Sequence, residues 1–124
     1  MSKIPEDFPT VTPYLIIKNA VGFIQFSQDV FAAVLINKHM RDENIIMHGE
    51  IKIGNSIIMF ADSTVEYPPM NAGLFIYVED ADIVYKKALD NGATAVTQLG
   101  NQSYGRSGGV KDAFGNTWWI TSVI

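Results

Sequence analysis

His48 and Glu50 stand two residues apart in the run IIMHGEIKI (45–53), a spacing that sends both side chains to one face of a strand. Ile45, Met47, Ile51 and Ile53 take the other face, where a helix is expected to cover them. A histidine oriented by a carboxylate can take up or release a proton near neutral pH, so the pair reads as a candidate catalytic acid–base couple. A simpler reading is a mutually satisfied hydrogen bond on a cavity wall. Partial metal ligation is a third use. A catalytic zinc centre takes three protein ligands. The chain has two histidines and no cysteine, and His39 falls on a polar strand expected to face solvent. A bound metal would need a further ligand from elsewhere in the chain.

Arg106 lies in a glycine-rich stretch, Gly105 to Gly109. Glycines there allow close approach of the backbone to a ligand, and the guanidinium is a candidate anchor for an anion. Pairing with a local aspartate is the alternative. No phosphate-loop pattern accompanies it. Trp118 and Trp119 are adjacent in a strand-like run, so they must point to opposite faces.

These residues need elements to hold them. Strand-like runs cover VTPYLIIK (11–18), VLINKHMR (34–41), IIMHGEIKI (45–53) and SIIMFAD (56–62). Between the first two, Ala20, Phe23, Ile24, Ser27, Val30 and Phe31 recur at helical spacing behind Asn19, a plausible N-cap. Gly54-Asn55 is a hairpin turn pair. EYPPMN (66–71) breaks the pattern and reads as a linker. Beyond it come AGLFIYV (72–78), a helix over residues 80–91 ended by Gly92, ATAVTQL (93–99), SYGRSGGVK (103–111) and NTWWITSVI (116–124).

The second set repeats the first. GNSIIMF (54–60) returns as GNTWWIT (115–121), an offset of 115 − 54 = 61. Ala20 maps to Ala81, Asp29 to Asp90, Ala32 to Ala93 and Tyr14 to Phe75 at the same offset. Each half reads as β-α-β-β-β. The expectation is one α+β domain over 1–124, with modules about 10–63 and 71–124 that superpose with the same strand order.

Composition sets the bounds. Hydrophobic residues make up 48% of the chain, enough for a packed core. The net charge of −4 without a basic cluster argues against nucleic acid as a partner. No apolar run is long enough to span a bilayer and no signal-peptide pattern opens the chain, so no membrane partner is expected and a cytoplasmic location is the default.

YGRSGGVKDAFGNTWWI (104–120) resembles the YGDRxGGVxDPFGxxWxI signature of the PhnB-like branch of the glyoxalase / bleomycin-resistance / extradiol-dioxygenase superfamily, the vicinal oxygen chelate proteins. IMHGEIKIGNSIIMFAD (46–62) is similar to that branch's H-x-E-x-x-I-G-x-S-x-I-M-x-x-D stretch, and TPYLIIKNAVGFIQF (12–26) to its opening strand and helix. The usual Asp after Tyr104-Gly105 is missing, and Ala113 stands where Pro is usual.

The resemblance implies two tandem β-α-β-β-β modules whose curved mixed sheet surrounds a cleft, and a homodimer. It also implies four metal positions, which fall on Thr12, Ile58, Gly73 and Trp119, none an ordinary His or carboxylate ligand, so no metal or other cofactor is expected. Strand parity places Thr12, Tyr14, Ile16, Ile58, Phe60, Gly73, Phe75, Tyr77, Trp119 and Thr121 on the cleft walls, with Trp118 toward the helices. The expected function is metal-independent binding of a small, partly aromatic ligand. Tyr14, Phe60, Phe75, Tyr77 and Trp119 would stack on it, and Arg106 would make a polar contact. The alternative is a lyase, isomerase or oxygenase of the glyoxalase/dioxygenase type using His48 and Glu50. A third possibility is an interaction module whose aromatics fill a core.

Overall fold

The computed structural model describes residues 2–124. Along the chain come β1 (Tyr14–Ile17), α1 (Ala20–Phe31), β2 (Val34–Met40), β3 (Ile46–Ile53) and β4 (Ser56–Asp62). They are followed by β5 (Gly73–Tyr77), α2 (Ala81–Asp90), β6 (Thr94–Gln102), β7 (Gly105–Lys111) and β8 (Thr117–Ser122). The strands form two four-stranded sheets, ordered β1-β4-β3-β2 and β5-β8-β7-β6. The first strand of each sheet runs parallel to the last strand of its module, and the remaining pairs are antiparallel. The two modules therefore share one topology, and the fold is α+β.

Local chemistry fixes the helix ends. Asn19 caps α1 by accepting from the Gly22 N–H at 3.1 Å, and its φ of 61° is one that asparagine tolerates. Asp80 caps α2 in the same way at the Ile83 N–H. The buried Asp62 carboxylate, at the end of β4, accepts from the Ala20 N–H at 2.9 Å and the Ile46 N–H at 2.7 Å. One acid thus joins the start of α1, the start of β3 and the end of β4, and its charge lies at the positive end of α1.

The helix-facing sides of both sheets and the apolar stripe of α1 make the core. Across the modules, Phe31 lies against Trp118 with ring centroids 4.4 Å apart, and Phe114 meets Phe23 and Phe26 edge-on at 5.8 and 6.0 Å. The Trp118 indole N–H donates to buried Asp112 at 2.8 Å. The same carboxylate accepts from the Phe114 and Asn116 N–H groups and so shapes the turn before β8. No helix among the described residues is long and apolar enough to cross a membrane.

The repeat is not in constant phase. Tyr14 pairs with Met59 in the first sheet, and Phe75 pairs with Trp119 in the second. The offset is 75 − 14 = 61 on the first strand of each module but 119 − 59 = 60 on the last. The third strands already stand at an offset of 111 − 52 = 59, because the second module is two residues shorter between its first and third strands, and the loop before β8, five residues (112–116) against four (53–56), restores one of the two. The identity of GNS with GNT therefore joins a two-residue hairpin turn to the end of a longer loop, and the strand that follows is displaced by one. A one-residue slip exchanges the faces of a strand. Ile58 and Phe60, expected on the cleft wall, face α1 instead: Phe60 is fully buried, edge-on to Phe23 at 5.2 Å. Phe60 is thus core and not a ligand contact. Met59 occupies the position in the first sheet that Trp119 holds in the second.

A β-bulge makes a second exception. His39 pairs with His48 but Met40 pairs with Ile46, leaving Met47 as the extra residue. Ile46 turns into the core and Met47, expected under the helix, is exposed beside the open face.

Candidate functional site

Each sheet has one face closed by helices and one open face, and the candidate chemistry is on the open faces. In the first sheet the β1–β4–β3 register sets Tyr14, Met59 and Glu50 in one row. His48, two residues before Glu50, bridges the others. Its Nε2 lies 2.8 Å from Glu50 Oε2, and its Nδ1 lies 2.9 Å from the Tyr14 hydroxyl. A carboxylate only accepts, so Nε2 carries a proton; in the neutral ring Nδ1 then accepts from the Tyr14 O–H. Glu50 is buried and Tyr14 is half exposed, so the chain of hydrogen bonds runs from a covered acid to a phenol in reach of a ligand. Burial, and after it the Glu50 charge, raises the Tyr14 pKa above its ordinary value. Tyr14 accordingly keeps its proton at neutral pH.

On the second sheet, Phe75 and Trp119 are direct neighbours across the β5–β8 ladder, with Tyr77 and Tyr104 beside Phe75 at ring distances of 5.1 and 6.2 Å. Exposures are 39% for Trp119, 51% for Phe75, 54% for Tyr104 and 63% for Tyr77, whereas neighbouring Trp118 is 2% exposed on the opposite face. Together these rings form an exposed aromatic patch on the open face. Gly73 leaves space beside the ring: a Cβ there would meet the Trp119 indole at 3.0 Å.

Arg106 does not reach this face. It points toward α2, where its Nε donates to Asp82 at 2.6 Å and its Nη1 to Asn101 at 3.1 Å. The anion anchor expected from the sequence is a strut between β7 and α2. Tyr14, His48 and Glu50 are thus brought together on one sheet, and Phe75, Tyr77 and Trp119 on the other. Sequence reasoning missed Tyr104, which sits in the two-residue turn between β6 and β7, and Met59 and Met47, which the phase slip and the bulge concealed.

The residues do not fit a metal of the kind this fold often carries. Correcting the phase replaces Ile58 by Met59, a soft thioether, beside Thr12, Gly73 and Trp119. His48 and Glu50 are spent on each other, and no group of three His, Asp or Glu side chains converges among the described residues.

Two cavities matter. A groove of about 1060 Å³ follows the free edge of β5 between the modules, lined by Phe31, Ile57, Leu74, Phe75 and Tyr77 among others. A smaller cavity of about 400 Å³ lies on the first module beside Tyr14. The larger space holds none of the proton-carrying groups, so size alone does not mark the chemistry.

The architecture is the vicinal oxygen chelate fold of glyoxalase and bleomycin-resistance proteins. A glyoxalase/bleomycin resistance protein/dioxygenase family enzyme from Burkholderia phytofirmans superposes with a TM-score of 0.71 at 19% identity, over 91% of this chain and 97% of that one. A PhnB protein from Bacillus cereus gives 0.73 at 18% over 93% and 100%. TnmS3, an antibiotic binding protein from a Streptomyces species, gives 0.72 at 14% over the whole of both chains. In sequence the chain is 29% identical to the uncharacterized protein Mb0911c of Mycobacterium bovis, over 94% of this chain and 84% of that protein. No protein-family model matches the chain.

Proposed function

We propose that this protein binds a small, partly aromatic molecule without the help of a metal, on the open faces of its sheets. The observation that carries the reading is the cluster of Trp119, Phe75, Tyr77 and Tyr104, four rings left uncovered on one face while Trp118 on the other is sealed. Rings held on a sheet stack on a planar ligand with little loss of side-chain freedom. Replacing a metal-binding acid by an indole at Trp119 removes a charge and adds such a surface. That the same fold serves an antibiotic binding protein is in keeping with this use.

A second copy of the chain is the natural completion of the site. β5 is an edge strand of apolar sequence, GLFIY, and its free edge borders the larger groove. An uncovered apolar edge invites pairing. Composition fits a cytoplasmic protein with no nucleic-acid or membrane partner.

A second reading rests on a specific observation, the Tyr14–His48–Glu50 chain. Glu50 orients His48, which relays a proton through Tyr14 to or from a substrate, as a lyase, isomerase or oxygenase step requires. A thermal-shift screen of planar aromatic compounds in the presence of a chelator tests the first reading. A ligand bound only by the folded state raises stability by RT ln(1 + [L]/Kd). Stabilisation by aromatic compounds without metal supports binding. Stabilisation that appears only on adding a divalent metal removes the reading.

A further inference from the structure

The smaller cavity, on the first module, is lined by Tyr14, Ile16, Met47, Thr64, Tyr67 and Arg41. Its volume of about 400 Å³ suits a one- or two-ring molecule. Arg41 was not singled out by its sequence context, yet among the described residues its guanidinium has no ion-pair or hydrogen-bond partner. The adjacent Asp42 turns one carboxylate oxygen into the turn that follows β2, where it accepts from the Asn44 and Ile45 N–H groups at 2.8 and 2.9 Å. The Arg41 N–H itself donates to the Ile45 carbonyl at 2.7 Å, which fixes the backbone at the rim. Asp62 also borders the cavity, but both its oxygens are held by the Ala20 and Ile46 N–H groups. The bulge that displaces Met47 supplies a flexible apolar wall.

We infer that this cavity is a subsite for an aromatic carboxylate. The carboxylate pairs with the Arg41 guanidinium, and the ring lies against Tyr14, Met47 and Tyr67. A guanidinium offers a carboxylate two parallel N–H donors, whereas a neutral amide presents its own donors to the cation and loses half of that match. Tyr14 ties this subsite to the His48–Glu50 chain, its oxygen lone pairs remaining free for a ligand hydroxyl while its proton is engaged by His48. The inference goes beyond the aromatic-face reading, since the subsite lies on the other sheet. It requires only an open face on the first sheet.

The test uses 2-naphthoate and its neutral isostere 2-naphthamide, measured by protein-observed NMR titration with the Met47 methyl and Tyr14 ring signals as reporters. Wild-type protein should bind the acid about tenfold or more tightly than the amide, with shifts at both reporters. Arg41→Gln should abolish that preference, and Arg41→Lys should recover part of it through charge alone. Trp119→Ala should leave the preference in place, which separates this subsite from the aromatic face of the second sheet. Equal binding of acid and amide, a preference that survives Arg41→Gln, or no response to naphthoate up to about 10 mM would each overturn the inference. A loss of naphthoate binding in Trp119→Ala with Arg41→Gln unaffected would assign the ligand to the other sheet and overturn it equally.

Discussion

Gly49 lies directly across the β3–β4 ladder from Phe60, and a Cβ at Gly49 would stand 2.5 Å from the phenyl ring. The missing side chain at Gly49 leaves room for the Phe60 ring, which lies edge-on to Phe23 under α1. Gly49→Ala should therefore destabilise the protein by about 1–3 kcal/mol, overpacking outweighing the backbone entropy that alanine saves in a strand. Urea unfolding measures it. An unchanged midpoint would mean that Phe60 has room to move, and the helix-facing assignment of β4 would fall with it.

Trp118 should behave as a core residue. Trp118→Phe removes the indole donor to Asp112 and shrinks the contact with Phe31, a combined cost of about 2–4 kcal/mol. Trp119→Phe, on the open face, should change stability by under about 1 kcal/mol. Thermal unfolding of the two variants side by side decides this. Equal losses would contradict the two-faced arrangement.

The raised pKa of Tyr14 gives a pH prediction. Burial and the Glu50 charge both disfavour the phenolate, so the folded-state value lies above the unfolded one near 10. The stability linked to the neutral phenol is present below the unfolded value and is lost as pH rises through the folded one. In a phenolate absorbance titration, the difference between wild type and Tyr14→Phe should show one tyrosine ionising above the normal range. Ionisation at or below the normal value would contradict the burial and the Glu50 charge assigned to Tyr14.

Elemental analysis bears on the donor set. Purified protein, dialysed without chelator, should hold well under one divalent metal per chain, because Thr12, Met59, Gly73 and Trp119 supply no histidine or carboxylate ligand. A stoichiometric metal that is lost in His48→Ala would favour the enzymatic reading.

The sequence carried the helices and strands well, and for physical reasons. Asn19 is an N-cap by composition, Gly54 and Gly92 need positive φ, and the apolar spacing of α1 is strict. The failures share one cause: strand faces depend on counting. Between its first and last strands the second module is one residue shorter than the first, which puts β8 one residue out of phase with β4, and the bulge at Met47 shifts the start of β3. Both errors exchange faces, so Phe60 was credited to the site and Met47 to the core. Gly49 was the legible warning, since a glycine inside a strand marks a close approach. Arg106 failed differently. Nothing local to Gly105–Gly109 reveals that Asp82, one helix away, holds the guanidinium.

The central claim is that the uncovered rings of the second sheet bind a planar ligand without metal. It is tested most directly by the dissociation constant of one aromatic compound, taken from the chelator screen, for wild type and for Trp119→Ala under the same chelator. The account predicts at least about a tenfold weaker affinity in Trp119→Ala, of the size a lost stacking partner costs, with the fold intact by circular dichroism. The same affinity in the folded variant would contradict it.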